Sequence, residues 1–220
     1  TLAVPAASAP PPDSGSVVVR CGALIDGVSA SAVGPAVVVI EHGRITAVRP
    51  DAIAPGGIRV IDLAGYTCLP GLIDMHTHLT MRPEESLDLS ENYRRTAQQQ
   101  GGISREHARR TLLAGFTTVR DVGSYAAWAD RAIRDEIDRG ETPGPRMQVA
   151  GIYLTIPGGG GDLVIPGHPE SEIPARLRAG VARGPEQFRQ KAEIAVPGGA
   201  DLLKVIASGA VFAYGGKPGE

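Results

Sequence analysis

The chain has 220 residues, of which 42% are hydrophobic and only 4% are aromatic, and it contains 29 glycines and 18 prolines. This composition is sufficient for a sizeable core made of many short elements joined by turns. The formal net charge of −2 and the isoelectric point near 6.2 provide no basic field that would favour nucleic acid or a membrane surface as a partner. No apolar run reaches the roughly 20 residues that a membrane-spanning helix needs.

The N-terminal segment and the two cysteines bear on the cellular compartment. Residues 1–15 are rich in Ala, Pro and Ser, which predicts a flexible arm. Because such arms commonly follow a cleaved export signal, we expect a periplasmic or secreted protein, with a cytoplasmic one as the alternative. Cys21 and Cys68 could form one disulfide, but both fall in predicted strands, where small buried thiols are common, so free thiols are favoured.

Residues 16–69 predict a small β-unit. Its short runs of Val and Ile are interrupted by Gly, Pro and Asp, as expected for strands joined by turns. Residues 41–44 predict a hairpin turn with Gly43 in the left-handed region. His42 lies in this turn and is expected to be solvated, so the unit offers no obvious catalytic group.

After Pro70 the pattern changes to strands that alternate with helices. This alternation predicts a parallel sheet of βα units. Four such units form either half of an eight-stranded barrel or a small doubly wound sheet, and the pattern leaves both open. The predicted strands are 71–79, 116–122, 146–154 and 201–208, and the predicted helices are 84–100, 104–114, 124–140 and 185–196.

His76 and His78 lie two positions apart at the end of the first of these strands. Alternate residues of a strand share one face, so both imidazoles can reach one metal ion. The carboxyl ends of parallel strands are where βα folds build their sites, which favours a metal-binding pair over two exposed histidines. Asp74 shares the same face and could orient a ligand.

Three segments carry a resemblance to a known family. PGLIDMHTHL (70–79), TLLAGFTTVRDVG (111–123) and GGADLLKVIASGA (198–210) resemble, in that order, the first-, second- and fourth-strand segments of the metal-dependent amidohydrolase superfamily. The similarity points to the branch of Xaa-Pro dipeptidases, related carboxypeptidases and ochratoxinase-like amidases. It implies an α/β fold in which residues 70–220 form the N-terminal half of a distorted (β/α)8 TIM barrel, beside a small β-sandwich part at 16–69.

The resemblance also implies a site with two divalent metal ions, most simply zinc. His76 and His78 are implied as ligands of the more buried ion, and Lys204 as a catalytic lysine that CO2 carbamylates and that bridges both ions. A free lysine has a pKa near ~10.4 and is a poor ligand, whereas a carbamate offers two anionic oxygens. The apolar residues 202–203 and 205–206 indicate a strand buried on both faces, in which a lysine needs a compensating partner.

Four residues are candidates for substrate binding, namely Gly160, Gly161, His168 and Tyr214. Members of this family carry a histidine in the glycine-rich loop after the third strand, but residues 156–163 contain none. The backbone N–H groups of the two glycines could approach a substrate carboxylate. His168 could take the place of the missing histidine, and Tyr214 is close to Lys204 in the sequence.

Three further polar residues receive structural interpretations. Arg120 and Asp121 end the second barrel strand near the predicted mouth of the barrel. We interpret them as a structural ion pair, with contact to the substrate or to a metal ligand as the alternative. His107 lies on a predicted helix and is expected to face solvent.

The resemblance implies two more histidine ligands and a general-base aspartate on later strands. Only sixteen residues follow Lys204, and none of them is a histidine. A half barrel would also expose a long apolar sheet edge, which is a liability in water. We therefore expect a second chain that carries the C-terminal half of the barrel, with a truncated chain as an alternative. The assembled unit is expected to be a homo-oligomer.

The function that these features favour is hydrolysis of an amide bond in a small peptide or N-acyl amino acid through a metal-activated hydroxide. A cyclic amide or imidazolone hydrolase on the same scaffold is the alternative enzyme. A catalytically inert fragment or complementing subunit is the alternative without catalysis. Because substrate choice lies in loops and in the missing half, the sequence does not separate the two enzymes.

Overall fold

The computed structural model describes residues 15–50 and 58–209. It forms two units, Thr1–Pro70 and Gly71–Glu220, which are described separately below. Most of the predicted arm at 1–15, and Tyr214, lie outside the described residues. Within the described ranges, no helix combines the length and the hydropathy that crossing a membrane requires.

The first unit is a four-stranded sheet in the order β3-β2-β1-β4. β1 pairs antiparallel with β2, which pairs antiparallel with β3, while β4 runs parallel to β1. The turn between β2 and β3 has positive φ at His42 and Gly43, and His42 is exposed, as predicted. The strands are β1 (Ser16–Leu24), β2 (Ala36–Glu41), β3 (Arg44–Pro50) and β4 (Arg59–Cys68).

A disulfide joins Cys21 and Cys68, so the prediction of two free thiols is wrong. The parallel pairing of β1 with β4 sets Cys21 beside Leu63 and Leu24 beside Cys68, which brings the two cysteines close together. Their Cα atoms are 5.8 Å apart, within the range that a disulfide can span. The bridge lies in a core cluster with Leu24, Ala36 and Val38.

The second unit contains a parallel three-stranded sheet, β5-β6-β7, and a parallel pair, β8-β9. Helices lie between β5 and β6, between β6 and β7, and between β8 and β9, as the alternation predicted, whereas β8 follows β7 without a helix. The strands are β5 (Leu72–Thr77), β6 (Phe116–Asp121), β7 (Arg146–Val149), β8 (Tyr153–Leu154) and β9 (Lys204–Val205). The α-helices are α1 (Ser90–Arg94), α2 (Ala97–Leu113), α3 (Ala129–Asp138) and α4 (Gly184–Ala195), with 3₁₀ turns at Pro83–Leu87, Glu170–Glu172 and Ala175–Leu177.

Two predicted elements are interrupted for identifiable reasons. The helix predicted at 84–100 breaks before Thr96, whose side chain caps a new helix by accepting a hydrogen bond from the Gln99 backbone N–H. The strand predicted at 146–154 breaks at Gly151, which has a φ of +75°. A Cβ at Gly151 would lie 2.4 Å from the Trp128 ring, so this ring needs a glycine where it crosses the chain.

Two hydrophobic clusters hold the carboxyl ends of the barrel strands in place. One lies between the sheet and helices α2 and α3 and includes Leu79, Val119 and Ile133. The other lies under the loops that follow the strands and includes Tyr125 and Tyr153. Both clusters pack against the segments that carry the candidate site.

The strand that carries Lys204 is less buried than predicted. Leu203 and Val205 are 44% and 54% exposed, so the expectation of burial on both faces is wrong for the described part of the chain. On β5, an outer strand of the three-stranded sheet, Ile73 and Met75 are 61% and 48% exposed. Both are outer strands, which explains why apolar side chains there reach solvent.

The disulfide gives a direct prediction for stability. Replacing both cysteines (Cys21→Ala with Cys68→Ala) is expected to lower the free energy of unfolding by about 2–4 kcal/mol, because the bridge restricts the unfolded chain. Chemical denaturation of the variant, and of the unaltered protein with and without reductant, measures the change. Two titratable thiols in the unreduced, denatured protein would contradict the bridge.

Candidate functional site

The structure brings three predicted residues to one place. His76 and His78 lie at the carboxyl end of β5, and their ring centroids are 5.3 Å apart. His76 is exposed, whereas His78 and Lys204 are partly buried. Burial is the main reason that the pKa of His78 is lowered, and the positive charges of His76 and Lys204 lower it further. His76 and Lys204 therefore both lie within electrostatic reach of His78, while the role of the three residues as metal ligands stays a prediction.

One hydrogen bond defines the tautomer of His78. Its Nδ1 lies 2.9 Å from the backbone oxygen of Gly123. Because a carbonyl oxygen can only accept, Nδ1 must carry the proton, and in the neutral ring Nε2 then keeps its lone pair. This is the arrangement in which Nε2 can bind a metal ion.

Tyr153 is a site residue that sequence reasoning missed. Its buried hydroxyl lies 3.0 Å from the Gly123 oxygen and 3.1 Å from His78 Nδ1. Burial raises the pKa of Tyr153 well above its usual value, so the hydroxyl keeps its proton and can donate it. The sequence feature that could have identified Tyr153 is its position at the carboxyl end of the third predicted strand, where site residues lie in βα folds.

Asp121 ties together the two loops around His78. Its buried carboxylate accepts one hydrogen bond from the Leu79 N–H, at 2.6 Å, and one from the Gly123 N–H, at 3.2 Å. Burial and the nearby charge of Asp130 raise the pKa of Asp121 to about 8. Asp121 therefore fixes the backbone on both sides of the His78–Gly123 hydrogen bond.

The predicted ion pair between Arg120 and Asp121 does not form in the described residues. Neighbouring side chains of a strand point to opposite faces, so these two cannot meet. Asp121 points inward, while Arg120 donates through Nε to the Met75 carbonyl, at 2.9 Å. The carboxylate of Asp74 accepts from the His76 backbone N–H, at 3.0 Å, and so fixes the backbone next to the histidine pair.

The glycine-rich loop packs against β8 and β9. The Gly160 N–H donates to the Ser208 carbonyl at 3.1 Å, and its own carbonyl accepts from the Tyr125 hydroxyl at 3.0 Å. At Gly161 a Cβ would lie 2.7 Å from that of Tyr153, so only glycine allows this approach. The Gly160 N–H is therefore already paired, and a substrate contact from either glycine stays a prediction.

The remaining histidines lie in different settings. His168 is exposed, with Nδ1 3.2 Å from a carboxylate oxygen of Glu172, and the contacts found for it within the described ranges include none with His76 or His78. His107 is partly buried, and its Nδ1 lies 3.1 Å from the Leu79 carbonyl. The prediction that His107 faces solvent is therefore wrong, because its ring supports the segment that follows β5.

The histidine pair has one feature that a metal site requires. The two imidazoles lie side by side, the charge of Lys204 reaches His78, and the tautomer of His78 leaves a nitrogen lone pair for a cation. Between residues 15 and 209, apart from 51–57, no group of three or more His, Cys, Asp or Glu side chains is placed to hold a metal ion. The residues thus fit a divalent metal as a partial ligand set that needs further donors.

Three comparisons relate this chain to known proteins. The model described as "Amidohydrolase family" matches residues 67–220. An ochratoxinase from Aspergillus niger is 26% identical over 163 residues, covering 68% of this chain and 33% of that protein. An imidazolonepropionase from Klebsiella pneumoniae (strain 342) is 58% identical over 41 residues, 19% of this chain and 10% of that protein. A solved Xaa-Pro dipeptidase with bound methionine is 28% identical, with a TM-score of 0.75, covering 89% of this chain and 48% of that chain.

This chain corresponds to only part of each of these relatives. It spans about half the length of the dipeptidase chain and a third of the ochratoxinase. The structural similarity confirms the predicted fold class, an α/β chain corresponding to the N-terminal half of a TIM barrel. The half barrel includes both β5, which contains His76 and ends one residue before His78, and β9, which begins at Lys204.

The buried carboxyl of Asp121 predicts a pH dependence of stability. Because its pKa is about 8 in the folded protein and 3.8 ordinarily, the folded state keeps a proton that the unfolded chain releases, and stability falls as pH rises between these values. The variant Asp121→Asn removes this group and should flatten the slope by up to about 1.4 kcal/mol per pH unit. Chemical denaturation at several pH values measures both slopes.

The control Asp138→Asn makes the same chemical change at an exposed position near the end of α3. For this control, we expect the free energy of unfolding to depend on pH with the same slope as in the unaltered protein. Equal slopes for Asp121→Asn and the unaltered protein would contradict the prediction.

Proposed function

The chain belongs to the amidohydrolase family, and from that premise we propose that it supplies the first half of the active site of a metal-dependent hydrolase. The proposed reaction is cleavage of an amide bond in a dipeptide or an N-acyl amino acid. The observation that carries the proposal is the His76–His78 pair at the carboxyl end of β5, with the Nε2 lone pair of His78 available and the charge of Lys204 within reach of His78. A catalytically inert fragment would not need this arrangement.

His76 and His78 would hold a divalent ion, most simply zinc, through their ring nitrogens. A pair of such ions would supply an activated water and a Lewis acid for the substrate carbonyl. The bond between Nδ1 of His78 and Gly123 orients the imidazole before any metal binds. The backbone of His76 is fixed in turn by Asp74.

Lys204 is proposed to act as a carbamate. Its cationic form opposes a nearby metal and lowers the pKa of His78. When the neutral amine attacks CO2, a bond forms between Nζ and carbon, a proton leaves, and the side chain becomes an anion with two oxygens. One residue then changes from a repelling charge into a bridge between two cations.

The second half of the barrel is proposed to come from elsewhere in the working protein, with a separate chain as our hypothesis. Exposed apolar side chains on both outer strands support this, because closing a barrel would bury Ile73 and Met75 on β5 and Val205 on β9. The remaining metal ligands and the general base would lie in that half. Whether the assembled unit is a homo-oligomer stays a prediction.

The names of two relatives support two substrate classes. One solved relative is named a Xaa-Pro dipeptidase, which supports a dipeptide substrate. The other is named imidazolonepropionase, and its 58% identity over 41 residues supports a cyclic amide as the second candidate. The disulfide supports the proposal that the protein works in an oxidising compartment, such as the periplasm or the extracellular space.

Metal content and Lys204 test the site. We expect about two divalent ions per complete barrel in the purified, assembled protein, measured by elemental analysis. Lys204→Ala should lower kcat/KM by roughly 100-fold or more, because a ligand to the catalytic ions is lost, with partial recovery in short carboxylic acids. Lys191→Ala, which removes a lysine from helix α4, is the matched control. Unchanged activity in Lys204→Ala would rule out the carbamate.

The substrate class is tested with a panel of amides. If the enzyme is a peptidase, we expect turnover of dipeptides and N-acyl amino acids with a free carboxylate, and at least tenfold lower kcat/KM for carboxamide analogues, because a pocket built for the carboxylate would lose its charged partner. Cyclic imides and imidazolones form the second arm. Turnover confined to that arm would replace the peptidase proposal with the cyclic amide alternative.

A further inference from the structure

Three atoms meet beside His78 in a compact triangle. His78 Nδ1 lies 2.9 Å and the Tyr153 hydroxyl oxygen lies 3.0 Å from the carbonyl oxygen of Gly123, and the two lie 3.1 Å from each other. A carbonyl oxygen has two lone pairs and can accept from both donors. Tyr153 therefore shares its acceptor with the histidine that the proposed function assigns to the metal.

The position of Tyr153 is fixed by glycines on three sides. A Cβ on Gly123 would lie 2.9 Å from the tyrosine ring, and one on Gly161 would lie 2.7 Å from the tyrosine Cβ. A Cβ on Gly180 would lie 1.7 Å from the Tyr153 carbonyl oxygen. Only glycine allows the chain to approach this closely at all three places, so the tyrosine has little freedom to move.

Tyr153 also connects the two ends of the candidate site. Its ring packs edge-on against the ring of His78, with centroids 5.9 Å apart. Its backbone is the strand partner of Lys204 in the β8–β9 pair. A displacement of Tyr153 would therefore disturb the histidine through the side chain and the lysine through the backbone.

We propose that Tyr153 is a positioning residue for His78: its hydroxyl fixes the Gly123 carbonyl, and its ring limits rotation of the imidazole, so that the proton stays on Nδ1 and the Nε2 lone pair stays available. The inference rests on the proposed metal-binding function of His78. The reverse pattern, in which the hydroxyl donates to Nδ1, would leave two acceptors 2.9 Å apart and move the histidine proton to Nε2. That form could not bind a metal ion.

Tyr125 offers a matched control within the same core cluster. Like Tyr153, it is buried, and its hydroxyl donates to a glycine carbonyl, that of Gly160, at 3.0 Å. The two rings pack against each other with centroids 5.2 Å apart. Tyr125→Phe and Tyr153→Phe therefore remove the same group from the same cluster, but only Tyr153→Phe removes a contact with His78.

The experiment measures metal affinity and the histidine tautomer in the complete, assembled protein. Zinc and cobalt(II) are titrated against a competing chelator, and nitrogen-15 NMR of the metal-free protein at pH 8 reports which ring nitrogen of His78 carries the proton. Tyr153→Phe should weaken metal binding by roughly tenfold or more, as removing a residue that supports a metal ligand commonly does. It should also cause a second tautomer of His78 to appear. Tyr125→Phe should leave both readouts within about twofold of the unaltered protein, because it removes no contact with His78.

Each outcome decides the proposal. Equal affinities in the unaltered protein and Tyr153→Phe would overturn it, and so would equal losses in both variants, which would indicate general loosening of the core. If the unaltered protein binds no metal, the proposed function fails, and the NMR comparison alone then decides the positioning role. If Tyr153→Phe does not fold, a metal-free unaltered protein with the proton on Nε2 of His78 would still overturn the inference.

Discussion

The buried carboxyl group of one aspartate holds together the part of the chain on which the site is built. Asp121 accepts hydrogen bonds from the backbone N–H groups of Leu79 and Gly123, which belong to the loops after β5 and β6. Those loops carry the two partners of the next hydrogen bond, His78 and the Gly123 carbonyl. Because the carboxylate has no exposed surface, the loops cannot separate without leaving a buried acceptor unpaired, which is costly.

The geometry around His78 depends on several glycines, which have no side chain, as well as on the side chains that pack there. Gly123, Gly161 and Gly180 leave the space that Tyr153 occupies, and Gly151 leaves the space for Trp128. Each glycine gives up side-chain packing in exchange for close approach of two chain segments. The result is a densely packed layer beneath the strand ends, in which the orientation of one imidazole is set before any metal ion binds.

The sequence was informative where a local pattern carried the structure. Alternation along a strand was enough to pair His76 with His78, and the order of strands and helices predicted the parallel arrangement. The sequence was uninformative about contacts between segments that are far apart in the chain. The Cys21–Cys68 bridge depends on parallel pairing of two strands whose cysteines are 47 residues apart, and Tyr153 reaches His78 across 75 residues. The error at Arg120 was different, since the strand alternation used for the histidines already forbade an ion pair with Asp121.

The charges at the site constrain what must complete it. His76 and Lys204 lie within electrostatic reach of His78, and no group of three or more His, Cys, Asp or Glu side chains in the described part of the chain is placed to hold a metal ion. Asp121 does not neutralise them directly, because its oxygens are used by backbone N–H groups and burial favours its protonated form. Neutral imidazoles accept a divalent cation, but the Lys204 ammonium would repel one unless anionic donors accompany the metal. The proposed conversion of Lys204 to a carbamate would supply such charge from within this chain. In the proposed site, the same electrostatic requirement would link modification of the lysine to metal binding by the two histidines.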